Sequence, residues 1–301
     1  MTAAPPIIVG AGLAGLIAAH AWPRALVVER APAPAQAHRA LLRFRSDAVS
    51  VLVGVPFRRV RVHKSVWSGG RHCAPDLRLA NLYSRKVLGR LLPDRSIWNI
   101  MSVDRFVAPE DLYARLIDRI NERISWRVEF PWAERPPNVV TTAPIGETLR
   151  SLGIDHHEAF ERAGINVFRA RVPNCDVFQT VYFPDPDTSV YRASITGSML
   201  IVESRGEVSG LAMEGVCAAF GIDAFDPIEH HKQHFGKITP IDDATRRRLL
   251  FHMTSKYGVY SLGRFATWRN ILLDDVVKDI KTIDAMIGAD LYGTSLHAAR
   301  T

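Results

Sequence analysis

Apolar runs and glycines alternate over residues 7–29 in a pattern typical of a compact β–turn–α–β unit. Ile7–Val9 predicts a buried strand, a glycine-rich turn follows at once, and helical periodicity continues to about Ala21. Pro23 ends that helix, and Leu26–Glu29 predicts a second strand. A strand, a helix and a second strand are therefore expected in quick succession.

The same patterns recur along the rest of the chain. Helices are predicted at residues 109–123, 147–152, 210–220, 242–255 and 269–287. Strands are predicted at residues 124–130, 138–142 and 258–261. Between residues 165 and 203, short runs rich in Val, Phe, Tyr, Thr and Ile are separated by turns, which predicts an antiparallel meander.

Composition narrows the class of protein. The 301 residues are 47% hydrophobic and 23% charged, which excludes a disordered, collagen-like or coiled-coil chain. Three cysteines (Cys73, Cys175 and Cys217) are too few and too scattered for a disulfide framework or a zinc site. The apolar stretch 7–19 is broken by glycines and is shorter than a membrane span. We therefore expect a soluble cytoplasmic protein that is not exported and binds no metal and no membrane.

The net charge of +7 is concentrated in one segment. Residues 38–90 contain twelve Lys or Arg against two Asp, which leaves the remainder of the chain slightly acidic. Such asymmetry favours an anionic partner such as DNA. Aromatic residues that could stack on bases are interleaved with the charges: Phe44, Phe57, Trp67, Tyr83 and Trp98. The alternative is a solvated basic face with a few arginines that hold cofactor phosphates.

The glycine-rich turn after the first strand carries the strongest motif. Gly10, Gly12 and Gly15 match the dinucleotide-binding fingerprint between a predicted strand and a predicted helix. Glu29 follows at the spacing expected of the acid that binds the ribose hydroxyls. The alternative is a glycine-rich turn without a ligand. The residues expected to contact the dinucleotide are Gly10, Gly12, Leu13, Ala14, Gly15, Glu29 and Arg30.

The stretch from Tyr260 to Asn270 runs from a predicted strand into a helix. It resembles the closing motif of FAD enzymes of the glutathione-reductase type, above all UDP-galactopyranose mutases and flavin amine oxidases. That resemblance implies FAD as cofactor. It also implies that the following residues reach back to the cofactor: Gly263, Arg264, Trp268, Arg269 and Asn270. The alternative is a packed strand–helix corner in which Arg264 forms a structural ion pair.

Two middle segments extend this resemblance. Val128 matches the strand valine that contacts adenine in these folds, and Thr142 lies in a segment that passes near the cofactor. The Gly-Gly-Arg of amine oxidases and the His-x-Gly-Gly of mutases are both missing, and residues 38–44 stand in their place. The chemistry of neither family therefore transfers unchanged.

The resemblance also implies a fold. We expect an α/β protein with a Rossmann-like FAD-binding domain and an interleaved antiparallel-sheet substrate domain. The FAD-binding domain is predicted at residues 1–40, 100–150 and 256–301, and the substrate or cap region at residues 41–99 and 151–255.

Residues 261–270 and three further stretches, residues 42–46, 55–60 and 95–99, resemble small FAD-dependent oxidoreductases encoded by bacteriophages. Some of those enzymes belong to DNA-base hypermodification pathways, in which a flavin enzyme oxidises an amino-acid group attached to a thymine methyl carbon. This resemblance implies a modified base in DNA as a substrate, and the host cytoplasm as location.

The reaction expected from these resemblances is oxidation of a C–N bond, with transfer of a hydride to the flavin and hydrolysis of the resulting imine. The side chains expected to orient the substrate are Arg43, Tyr83, Trp98, Asn99 and Arg192, of which Arg192 is a candidate to bind a carboxylate. Two alternatives remain open: a mutase, which uses reduced flavin as a nucleophile on a sugar nucleotide, and a non-enzymatic flavin-binding scaffold.

The basic segment generates a first prediction. The protein is expected to be retained on duplex or single-stranded DNA at low salt and to be released at moderate salt, because each neutralised phosphate releases a counterion. Elution from immobilised DNA over a salt gradient measures this. Retention that does not weaken as the salt concentration rises would contradict the electrostatic argument.

Overall fold

The computed structural model describes residues 5–33, 41–92, 97–98 and 100–298. Their strands, numbered in chain order, are β1 (Ile7–Val9), β2 (Leu26–Glu29), β3 (Arg43–Phe44), β4 (Arg58–Ser68), β5 (Arg71–Cys73), β6 (Val103–Val107), β7 (Ile124–Trp126), β8 (Val139–Thr141), β9 (Arg162–Arg171), β10 (Val177–Tyr182), β11 (Val190–Gly197), β12 (Met199–Ser204), β13 (Asp226–Ile238) and β14 (Val259–Ser261).

The helices alternate with these strands. They are α1 (Leu13–Ala21), α2 (Ala48–Val53), α3 (Leu77–Leu88), α4 (Leu112–Asp118), α5 (Ile145–Ser151), α6 (Gly210–Phe220), α7 (Asp243–Tyr257), α8 (Arg264–Thr267) and α9 (Leu273–Ala298). Across the described residues, no helix is both long enough and apolar enough to cross a membrane.

The predicted β–turn–α–β unit forms the centre of a five-stranded parallel sheet. Its strand order is β14-β8-β1-β2-β7, and every neighbouring pair is parallel. Ile8 and Val27 are fully buried, as are Leu16 and Ile17 of α1, so the helix packs on the sheet through an apolar face. Because all five strands run the same way, their carboxyl ends meet at one edge, where open α/β sheets bind ligands.

The second sheet is larger and mainly antiparallel. Its strand order is β13-β9-β12-β11-β10-β4-β6-β3, with β5 paired to β4 outside this path. The predicted meander corresponds to β9–β12, and β4 and β10 form its one parallel pair among the described strands. The expected fold class is confirmed: an α/β chain that combines a Rossmann-like parallel sheet with an antiparallel-dominated second sheet.

Helices cover both faces of the large sheet. On one face, Tyr83 and Val87 of α3 pack with Tyr191 and Ile201, and we call this the α3 face. On the opposite face, Val216 of α6 lies in a separate apolar cluster. Alternation along each strand therefore assigns neighbouring side chains to two different environments.

Several elements were not predicted, and β4 is the most informative. Val60, Val62 and Val66 are buried while Arg59, Arg61 and His63 are exposed, which is the period of a half-buried strand. The high charge of this segment masked that period. The helix predicted at residues 109–123 is shorter, because α4 ends at Asp118 and a 3₁₀ turn occupies Asn121–Arg123. The domain boundaries stay a prediction. β6 lies within residues 100–150, which were predicted to belong to the FAD-binding domain, but it pairs with the large sheet.

A buried ion pair on the α3 face yields a second prediction. Glu203 is 3% exposed, and Arg192 Nε donates a hydrogen bond to its carboxylate. Burial opposes ionisation of Glu203, but the Arg192 guanidinium holds the pKa of this carboxyl below its ordinary value. Glu203→Gln leaves the partly buried Arg192 charge without its counter-ion, and we expect it to lower the free energy of unfolding by about 3 kcal/mol at pH 7.

Urea unfolding of wild type and variant measures this difference, with Glu214→Gln on the exposed side of α6 as the control. Because the folded pKa of Glu203 is lowered, its contribution is complete above the unfolded pKa of about 4.3 and is lost as the pH falls through the folded pKa. The difference in the free energy of unfolding between wild type and Glu203→Gln should therefore narrow only at acid pH. An equal difference at pH 7 and at the acid limit of folding would contradict the assignment.

Candidate cofactor cleft and the face of the large sheet

A cleft of about 630 Å³ opens at the carboxyl edge of the parallel sheet. This volume lies within the range of small-molecule and cofactor sites. Residues predicted to bind the dinucleotide or FAD that line this cleft are Gly10, Gly12, Glu29, Arg30, Val128 and Thr142. The fold therefore brings together side chains that are distant in the sequence.

Two of the three motif glycines are required by the fold itself. Gly10 has a φ of +105°, and a Cβ atom there would overlap Oγ1 of Thr142. A Cβ atom on Gly15 would overlap the carbonyl oxygen of Gly10, so only glycine lets α1 approach the turn this closely. Gly10 and Gly15 are therefore needed for the turn itself, and their presence is not evidence for a bound ligand.

Gly12 is different, because no contact with the described residues requires a glycine at this position. Its φ of −69° and ψ of 172° are extended values that any residue adopts, and a Cβ atom would meet nothing within 4 Å. Gly12 lines the cleft and caps α1, and no side chain caps the helix. The first N–H groups of a helix have no intrahelical acceptor, so this wall suits the close approach of an anionic group.

Glu29 holds the glycine turn in place. Its Oε2 accepts a hydrogen bond of 2.7 Å from the Ala11 N–H, and its Oε1 accepts one of 2.8 Å from the Ala31 N–H. The Tyr113 hydroxyl donates to the Ala11 carbonyl at 3.1 Å, so the residue between the first two motif glycines is held through both its N–H and its C=O. Burial, and then the negative charge of Glu29, raise the pKa of Tyr113. Sequence reasoning missed Tyr113, because only the packing of α4 against the turn reveals it.

An ion pair spans part of the cleft lining. Arg30 Nη2 lies 3.1 Å from Glu147 Oε2, which belongs to the first turn of α5. Both residues line the cleft together with Phe265, which the sequence patterns did not single out. Val128 also lies there, and its backbone N–H donates to the Glu29 carbonyl at 3.0 Å.

The C-terminal glycine turn meets the N-terminal one. β14 pairs with β8, and the Leu262 N–H donates to the Thr141 carbonyl at 2.9 Å. Gly263 has a φ of +87°, and a Cβ atom there would lie 2.9 Å from the Cβ of Ala14. This turn therefore packs directly on the first turn of α1, which begins at Leu13 and contains Ala14.

The other residues of the C-terminal stretch form a packed corner. Arg264 donates hydrogen bonds to the carbonyls of Ile271 and Gly236. Trp268 is 3% exposed and its indole N–H donates to the Thr239 carbonyl at 2.9 Å. Arg269 pairs with Asp279, and Asn270 is exposed. Contact of these side chains with a cofactor stays a prediction.

Three of the predicted catalytic residues, Arg43, Tyr83 and Arg192, lie on the α3 face. Tyr83 is buried with its ring 5.5 Å from that of Tyr182, and Arg43 donates to Thr180 Oγ1 at 2.8 Å. Arg192 does bind a carboxylate, but the carboxylate is that of Glu203. Trp98 is 51% exposed. Asn99 lies outside the described residues.

The basic segment is partly neutralised by acids from elsewhere in the chain. The ion pairs are Arg45 with Asp274 and Asp275, Arg58 with Asp176, and Arg59 and Arg61 with Asp104. Of the interleaved aromatics, Phe44 and Tyr83 are buried. Binding of DNA by this segment stays a prediction. The described residues contain no group of three or more His, Cys, Asp or Glu that could hold a metal, and the three cysteines are free.

Comparison with known proteins identifies solved structures with a similar fold. No family model matches the chain, and no curated protein matches it significantly in sequence. A reduced UDP-galactopyranose mutase is 15% identical, with a TM-score of 0.66 over 95% of this chain and 96% of that one. A putrescine oxidase double mutant is 11% identical, with a TM-score of 0.55 over 94% and 98%. The rebeccamycin biosynthetic enzyme RebC with reduced flavin is 13% identical, with a TM-score of 0.55 over 95% and 61%. The chain thus has the Rossmann-like fold of flavoenzymes.

Proposed function

We propose that the protein is an FAD-dependent oxidoreductase. The observation that carries the proposal is Gly12, which leaves open space in the cleft wall that the fold itself does not need. A bound pyrophosphate needs such space, because it must approach the backbone at the start of α1. The convergence of Gly263 and Ala14 supports the same conclusion, since it brings the C-terminal turn to this edge of the sheet.

The residues present suit each part of the cofactor. The N–H groups of Leu13 and Ala14 at the start of α1 would receive the pyrophosphate. The Glu29 carboxylate would accept hydrogen bonds from the ribose hydroxyls, and Val128 would border the adenine. The Gly263 turn would face the flavin end.

The reaction that we propose is oxidation of a C–N bond in an amine or amino-acid group. FAD, when bound, would supply the two-electron acceptor for the hydride on the carbon next to the nitrogen, and water would hydrolyse the resulting imine. The chain must present the amine in its neutral form. Arg43 and the buried Lys237 on the α3 face favour this form, because nearby positive charge lowers the pKa of a bound ammonium group.

A mutase is the second candidate, since the mutase structure matches this chain over almost its whole length. Such an enzyme would act on a sugar nucleotide without net oxidation. The resemblance of three short stretches to bacteriophage enzymes supports a further specific substrate for the oxidase, an amino-acid group on thymine in DNA. The positive charge of residues 38–90 also supports this substrate, because it favours the binding of DNA.

Flavin absorbance distinguishes these functions. We expect the purified protein to be yellow and to lose its flavin colour on anaerobic mixing with its amine substrate, including DNA with an aminated thymidine. Readmission of oxygen should restore the colour and produce peroxide. Activity that appears only after prior chemical reduction, on a sugar nucleotide, would replace the oxidase by the mutase. A protein purified without flavin, and unable to take up added FAD, would overturn both.

Gly12→Val tests the cleft directly. A Cβ atom at this position meets no described atom within 4 Å, so the variant should fold with an unchanged Tm while FAD binding falls below detection. Fluorescence titration of the apoprotein with FAD measures this. The matched control is Gly215→Val in α6, where a Cβ atom also meets nothing within 4 Å. A Gly12→Val protein that binds FAD as tightly as the control would contradict the site.

A further inference from the structure

Four positively charged side chains converge on the α3 face of the large sheet. Lys64 of β4 lies opposite Thr180 of β10, and Thr180 lies opposite Ser194 of β11. Arg192 is two residues from Ser194 on the same face. Arg43 and Arg105 enter from the neighbouring strands β3 and β6. The hydroxyls of Thr180 and Ser194 lie 3.0 Å apart between these charges.

Among the described residues, only neutral oxygens accept hydrogen bonds from the Arg43 guanidinium. Its guanidinium donates to Thr180 Oγ1 at 2.8 Å and Thr196 Oγ1 at 2.5 Å, and also to the carbonyls of Gln179 and Ile195. Its Nε is buried without a hydrogen-bond partner among the described residues. Burial, and then the like charge of Arg192, lower the pKa of Arg43 to about 10.

Lys64 and Arg105 are half-buried, and their positive charges have fewer hydrogen-bond acceptors among the described residues than the charge of Arg43. Lys64 has no hydrogen bond or ion pair with any described residue, and burial followed by the charges of Arg105 and Arg43 lowers its pKa. Arg105 donates to the backbone carbonyl of Asp104 at 2.8 Å. The Asp104 carboxylate itself is occupied elsewhere, since it pairs with Arg59 and Arg61.

The acids on this part of the sheet are already paired. Glu203 binds Arg192, and Glu229 binds Arg169. In the described part of the chain, Arg43, Lys64 and Arg105 therefore share no carboxylate. Partly buried like charges without a counter-ion are unfavourable, and an anionic group of a ligand would relieve this cost.

We propose that Lys64, Arg105 and Arg43 form a subsite that binds an anionic group, a carboxylate or a phosphate, of the substrate. That the other end of the substrate carries the amino group to be oxidised rests on the proposed function. Arg264, next to the Gly263 turn, donates to the carbonyl of Gly236. The adjacent Lys237 Nζ lies 5.1 Å from the ring centre of Tyr191 on the α3 face. Contacts through Gly236 and Lys237 thus link the α3 face to the Gly263 turn, which would face the flavin.

This subsite selects among amines by charge. A diamine brings only positive charge to a face that already carries three unneutralised cations, so it binds poorly. An amine that also carries a carboxylate or a phosphate places its anion on Lys64 and Arg105 and its amino group nearer the cleft. The substrate class is therefore an anionic or zwitterionic amine.

Binding of simple anions tests the subsite without turnover. Calorimetric titration of the holoprotein uses inorganic pyrophosphate and succinate as separate probes, so the tighter probe identifies phosphate or carboxylate as the anion. Lys64→Gln should weaken the preferred probe about tenfold, because a hydrogen bond to a charged group is lost. Lys64→Arg should restore most of the affinity. The control is Lys281→Gln on the exposed side of α9, which should leave the affinity unchanged. Equal binding by wild type and Lys64→Gln, or no binding of either probe, would overturn the subsite.

Turnover separates this proposal from the proposed reaction. With amines matched in size, one with and one without a carboxylate, Lys64→Gln should raise KM about tenfold for the anionic amine only, with kcat unchanged. If no amine bleaches the flavin while binding of pyrophosphate or succinate still depends on Lys64, amine oxidation is rejected and the subsite is retained. Equal KM values for both amines in wild type and variant would reject the subsite and leave the oxidase standing.

Discussion

The contact between Gly263 and Ala14 is the constraint on which the candidate site depends. A side chain at either partner large enough to separate them would move the C-terminal turn away from the start of α1. Parallel pairing of β14 with β8, and of β8 with β1, brings these two turns to the same edge of the sheet. Gly263 also needs its positive φ, which only glycine adopts at little cost. The cleft is thus built by both ends of the described chain rather than by the N-terminal motif alone.

The two sheets are joined by polar contacts as well as by apolar packing. Oδ1 of Asp274, at the start of α9, accepts hydrogen bonds from the N–H groups of Arg45 and Ser46. These residues directly follow β3, whose Arg43 reaches into the large sheet. The anchor therefore fixes the position of the partly buried Arg43 relative to the parallel sheet. Burying Arg43 among neutral oxygens is costly, and that cost is tolerable where an anion completes the charge balance.

Charge on the α3 face links structure to the proposed chemistry. Arg192 and Glu203 neutralise each other, whereas Arg43, Lys64 and Arg105 leave an excess of positive charge. The same excess favours an anion on the substrate and a neutral amine at the reacting carbon. The putrescine oxidase structure is similar in fold to this chain, but the proposed subsite would disfavour a purely cationic diamine.

The sequence alone determined the local elements and the first half of the site. Strand and helix periods between residues 7 and 29, the three glycines and Glu29 act over short distances, so their pattern is complete within one segment. Tertiary structure decided the rest, because pairing between distant strands and neutralisation of distant charges leave no local pattern. Only the fold shows that Arg192 is occupied by Glu203, that Arg58, Arg59 and Arg61 are paired with distant aspartates, and that Lys64 is not.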